Sequence, residues 1–143
     1  MSDSIIDPWE GDPSFPPRPN FKPIIGTQAR FRRWGRFAYR ELPGGRIKIL
    51  GDWRRKNIVR VECPQLAHFG KGIWLNRMVI DQFLALVDEW NQEGLLDLIR
   101  TWNGSYVARR IRGRKSLSNH AFGTAFDINA RWNRLGKQPA LIG

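Results

Sequence analysis

The chain has 143 residues, 41% of them hydrophobic, which suits one domain with a modest core. A formal net charge of +11, from 24 Lys and Arg against 13 Asp and Glu, favours polyanionic partners, whether nucleic acid, an anionic cell wall or a membrane surface. Cys63 is the only cysteine, which excludes an intrachain disulfide and a cysteine-rich zinc site, and no apolar run approaches the ~20 residues of a membrane span.

Residues 1 to 27 read as a proline-rich arm or linker. Pro8, Pro13, Pro16, Pro17, Pro19 and Pro23 leave no usable hydrophobic period, and Phe15 and Phe21 are the residues expected to pin the arm to the domain. The first eight residues carry neither a basic nor an apolar region, so no secretory signal is expected there. The expected location is the cytoplasm, or outside the cell after lysis.

The domain is expected to run from residue 28 to 143. Residues 28 to 40 are basic and aromatic and form the best nucleic-acid candidate. The alternation after Gly35 instead favours a half-buried strand, with Phe37 and Tyr39 inward and Arg36 and Arg40 solvated. Pro43-Gly44-Gly45 is a turn, Arg46 to Leu50 a short strand, Gly51-Asp52 another turn, and Asn57 to Cys63 a strand ended by Pro64. On that last strand Ile58, Arg60 and Glu62 share one face, and Val59, Val61 and Cys63 the other.

His68 lies in a loop after this strand. It reads as solvated or bonded to backbone, with metal ligation the minority alternative. Leu75, Val79, Phe83, Leu86 and Trp90 recur at helical steps and predict a long helix. Leu95, Leu98, Ile99 and Trp102 suggest a second, short one, and Asn103-Gly104 a turn. Ser105 to Gly113 reads as a strand, with Val107, Arg109 and Ile111 on the inward face. A guanidinium there needs an anionic partner. Arg109 is either a carboxylate clamp or half of a structural ion pair.

The most informative stretch is Leu117-Ser-Asn-His-Ala-Phe-Gly-Thr-Ala-Phe-Asp-Ile-Asn129. If its second half is a strand, Phe126 and Ile128 point to a core, and Ala125, Asp127 and Asn129 point away. Gly123 allows a bend that brings His120 back toward Asp127. An imidazole and a carboxylate converging on one point suit a zinc ion.

The frame Ser118-x-His120-x-x-Gly123-x-Ala125-x-Asp127 resembles the zinc-ligand motif of the D-alanyl-D-alanine carboxypeptidase family of metallopeptidases, which includes phage L-alanyl-D-glutamate endopeptidases. The resemblance covers roughly Phe31 to Gly143 and looks most like the bacterial and phage-encoded branch. It implies an α+β fold of Hedgehog/DD-peptidase type: a small antiparallel sheet packed against one long and one short helix. It implies zinc-dependent hydrolysis of peptidoglycan stem peptides, with His120 and Asp127 as metal ligands. Arg109 would contact the substrate carboxylate, with Arg112 second, and Ser118 would orient the site by hydrogen bonding. The family takes its third ligand, a second His, and an acidic general base from a late segment. No His follows His120, and no Asp or Glu follows Asp127. The expectation is therefore a peptidase domain truncated at its C-terminal end. The alternatives are an inactive relative, or a metal shell completed by His68 or by another chain. The competing function is a non-catalytic basic module that binds cell-wall polymer or nucleic acid.

Overall fold

Short alternating apolar runs give short strands, and among the described residues each strand pairs only with one neighbour. The computed structural model describes residues 24–134. The architecture is α+β: three separate two-stranded antiparallel ribbons and a few helices, rather than the single small sheet expected. The first ribbon joins β1 (Tyr39–Glu41) to β2 (Ile47–Ile49), the second joins β3 (Ile58–Val61) to β4 (Ile73–Asn76), and the third joins β5 (Trp102–Gly104) to β6 (Asp127–Ile128). The proline-rich arm up to Pro23, with Phe15 and Phe21, and the tail from 135 to 143 lie outside the described residues.

The β3–β4 ribbon is a partition between two cores. Side chains alternate across it. Val61, Ile73 and Leu75 face one core, built with Leu66, Phe83, Val87 and Trp102. Ile58, on the opposite face, enters a second core with Phe31, Phe37, Trp53, Leu117 and Phe122. The expected split between Val61 and Ile58 is present, but both faces are covered at the strand's ends.

Three sequence expectations need correction. The predicted long helix begins only at α3 (Ile80–Gln92), and Leu75 belongs to β4. Asn76 interrupts the helical step, because its side-chain oxygen accepts from the Met78 amide and turns the chain there. Phe83 and Val87 carry the buried face of α3, each contributing about 1.5–3 kcal/mol by leaving water. The second helix is only one 3₁₀ turn, Leu96–Leu98, and Trp102 pairs in β5 instead. Finally, the basic segment before Gly35 is a helix, α1 (Thr27–Trp34), and the strand starts at Tyr39. Gln, Ala and Arg are good helix formers, and burial of Arg30 and Phe31 seats α1 on the second core. A further short helix, α2 (Trp53–Asn57), places the Trp53 ring against Phe37 and Phe122.

Candidate metal centre

The motif from Leu117 to Asn129 links the two cores. The Phe122 ring, fully buried, sits among Phe31, Phe37 and Trp53 at centroid distances of 5.7, 5.2 and 5.9 Å. Four residues on, Phe126 stacks on Trp102 at 5.3 Å in the other core, and Ile128 packs beside it. The two phenylalanines therefore anchor the chain on opposite sides of the partition. Between them the chain must cross at Gly123, where φ is +69°. A Cβ there would stand 2.6 Å from Ile58 Cδ1 and 2.7 Å from the Asn76 amide nitrogen. Only glycine fits this crossing.

Asn76 holds the crossing from below. Its side-chain amide donates to the Phe122 carbonyl at 3.0 Å, and its backbone amide donates to the Gly123 carbonyl at 2.8 Å. Asn76 is fully buried, so these bonds satisfy groups that water cannot reach.

His120 lies on the 3₁₀ turn Asn119–Phe122 just before the crossing. Ser118 caps that turn: its hydroxyl accepts from the His120 amide at 3.2 Å. The His120 carbonyl accepts from the Val107 amide at 3.0 Å. The ring is fixed as well. His120 Nδ1 lies 2.6 Å from the Ser105 carbonyl oxygen. A carbonyl can only accept, so Nδ1 carries a hydrogen and donates. Ser105 is itself pinned, since its hydroxyl donates to the Trp74 carbonyl at 2.7 Å and accepts from the Trp74 amide at 3.2 Å. With Nδ1 committed, Nε2 is the atom left free, and it stands 3.3 Å from Asp127 Oδ2.

Asp127 starts β6, with its carboxylate about half exposed, while Phe126 and Ile128 beside it pack into the core. Asn129 fixes the far end in the left-handed region, at φ 52°. Its side chain accepts from the Arg100 and Thr101 amides and donates to the Leu98 carbonyl. Asparagine tolerates this conformation better than most residues.

The pair suits a divalent cation. When Nε2 carries no hydrogen it and the carboxylate oxygen are both acceptors, and either a proton or a metal cation between them holds the two at this distance. Zinc binds His nitrogen at 2.0–2.1 Å and carboxylate oxygen at 2.0–2.2 Å, and tetrahedral angles then separate two ligand atoms by about 3.3–3.4 Å. The observed 3.3 Å matches that edge. The donor Nδ1–H···O=C arrangement is the outer contact that metal-bound histidines usually make. Among the described residues, no third His, Cys, Asp or Glu joins the pair. His68 is exposed on the turn Pro64–Phe69, its ring 4.2 Å from that of Phe69, and is not part of the group.

The pair opens into a cavity of about 1030 Å³, which Arg109, Arg112, Ser118, His120 and Asp127 all line. Arg109 reaches it by a route other than the one expected. Residues 105 to 113 form no regular strand; only Arg109 and Arg110 make bridges, to Arg46 and Leu117. Tyr106 and Ala108 pack on the second core, Val107 is exposed, and Ile111 lines the cavity beside Arg109. The face read as inward is thus the cleft face, so Arg109 is half-buried without entering an apolar core.

The motif is also braced from α1. Thr27 Oγ1 accepts from the Leu117 amide at 3.0 Å, and Arg30 Nε donates to Asn119 Oδ1 at 2.6 Å. Burial holds the Arg30 guanidinium below its usual pKa, and its Nη1 has no acceptor among the described residues. Sequence reading missed Arg30, Asn76 and Ser105. Only Asn76, a polar residue in an apolar strand, carried a visible sign.

Comparison with models of protein families, with curated proteins and with solved structures yields no match.

Proposed function

We propose that this protein is a zinc-dependent peptidase of the D-alanyl-D-alanine carboxypeptidase and L-alanyl-D-glutamate endopeptidase type, with a Hedgehog/DD-peptidase-like fold, acting on peptidoglycan stem peptides. The reading is carried by the His120–Asp127 pair: 3.3 Å apart, with Nδ1 of the ring committed to the Ser105 carbonyl, inside the Ser-x-His-x-x-Gly-x-Ala-x-Asp frame.

His120 and Asp127 would hold the zinc. When bound, the metal supplies a Lewis acid and a water with pKa near 7. Ser105 keeps the imidazole in the tautomer that presents Nε2. Ser118 fixes the backbone from which the ring projects. Arg109 supplies a planar fork to a peptide carboxylate and a positive charge near the reacting carbonyl, with Arg112 beside it. A catalytic site needs a third protein ligand and a base to take the water's proton. Among the described residues no third His, Cys, Asp or Glu stands with the pair, and Asp127 is the one acid lining the cleft, so a third ligand and a base would have to be brought to it.

Zinc stoichiometry of the purified full chain tests the reading. One zinc per chain, lost in His120→Ala and retained in His68→Ala, is expected. Equal zinc content in wild type and His120→Ala would remove the peptidase assignment.

A further inference from the structure

A second cavity, of about 630 Å³, adjoins the metal cleft, and Arg109, Ile111, Arg112 and Arg114 line both. Its walls are the Gly44–Gly45 turn and a hairpin carrying Arg109, Arg110, Arg112, Arg114 and Lys115, and no acidic residue among the described ones lines it. Five cations within seven residues repel one another unless solvent or a ligand screens them. Here they are held together by backbone. The Ile111 amide donates to the Ser116 carbonyl at 2.8 Å, the Arg114 amide to the Ile111 carbonyl at 3.0 Å, and the Arg110 amide to the Gly45 carbonyl at 2.8 Å. Gly113, at φ +71°, takes the left-handed third position of the turn Ile111–Arg114. Among the described residues only Glu41 offsets the charge, at 3.4 Å from Arg110 Nη1, and Arg110 Nε has no acceptor there.

We infer that this cavity is a phosphate-binding subsite for a flexible phosphodiester polymer without stacking bases, the chemistry of polyol-phosphate chains. Three features choose this class. Closely spaced guanidinium groups match repeated phosphates, which bind arginine bidentately. Among the described residues the lining has no aromatic ring, so it offers a single-stranded nucleic acid no stacking platform there. The cavity is concave, of about 630 Å³, a shape that suits a thin chain better than a rigid duplex. Because the two cavities share a wall, a polymer seated here would lie beside the metal cleft and hold the protein near substrate attached to it.

The test is calorimetric titration of the full chain with a synthetic glycerol-phosphate oligomer of about six units, at several salt concentrations. Saturable binding that weakens steeply with salt is expected. Arg114→Ser combined with Lys115→Ser removes two exposed charges from the rim and is expected to weaken binding about tenfold. Arg32→Ser combined with Arg55→Ser removes the same charge from residues that line neither cavity, and is expected to change it less than about twofold. Binding should survive His120→Ala, which separates this subsite from the metal reading. Equal losses in the two double variants would reduce the site to general charge attraction. No saturable binding, or tighter binding of a 20-base-pair DNA duplex through the same residues, would overturn it.

Discussion

Replacing Gly123 with alanine tests the crossing on which the His120–Asp127 pair depends. The new Cβ would meet Ile58 Cδ1 at 2.6 Å, the Asn76 amide nitrogen at 2.7 Å and the Leu75 carbonyl carbon at 3.2 Å. The Ile58 methyl can move, but the two backbone atoms belong to β4 and cannot shift without disturbing the partition. The left-handed backbone, at φ +69°, costs an alanine about 1–2 kcal/mol by itself. Loss of the bond from the Asn76 amide to the Gly123 carbonyl would add about 1 kcal/mol, more if the amide is left unpaired. The expected destabilisation is therefore about 2–4 kcal/mol. Urea unfolding followed by tryptophan fluorescence measures it. Gly113→Ala is the control, because that glycine has a similar φ of +71° but nothing within 4 Å of its added Cβ. It should cost only the backbone term. If Gly123→Ala costs no more than Gly113→Ala, the chain does not need a bare backbone at the crossing, and the account of how His120 and Asp127 are brought together fails.

Three other outcomes follow from the same contacts. Phe122→Ala should destabilise the fold by about 3–5 kcal/mol in urea titrations, since the ring is fully buried among three aromatics. Ser105→Ala removes both bonds to Trp74 that steady the carbonyl under His120. It should weaken zinc binding by about 10–100-fold while far-ultraviolet circular dichroism stays unchanged. Burial pushes the Cys63 thiol above its usual pKa. Because the thiolate is the reactive form, alkylation of the native protein should set in at higher pH than alkylation of the urea-unfolded chain, as read by mass spectrometry.

The local pattern of the motif was legible in the sequence. The alternation Phe126, Asp127, Ile128 put one carboxylate opposite two core residues, and Gly123 marked the bend. What could not be read was everything supplied by distant backbone. The Ser105 carbonyl that sets the His120 tautomer has no sequence signature, because every residue carries a carbonyl. The Asn76 clamp depends on β4 lying beneath the motif, and local spacing does not encode that pairing. Leu75 satisfied a helical step and a strand position equally well, and the turn at Asn76 decided between them. Residues 105 to 113 alternated as a strand should, yet their apolar members were divided between a core and a cleft. Alternation fixes which residues share a side and does not say which side is wet. The helix α1 was hidden because its buried face includes an arginine, whose burial depends on Asn119, 89 residues away.

The account rests on one imidazole nitrogen and one carboxylate sharing a cation. Proton–nitrogen NMR of the side chains observes it directly, since only His68 and His120 contribute imidazole signals. On zinc titration the Nε2 resonance of His120 should move to the metal-bound range while its Nδ1 stays protonated, and Asp127→Asn should weaken the response. Movement confined to His68, or a shift at His120 Nδ1 instead, would contradict it.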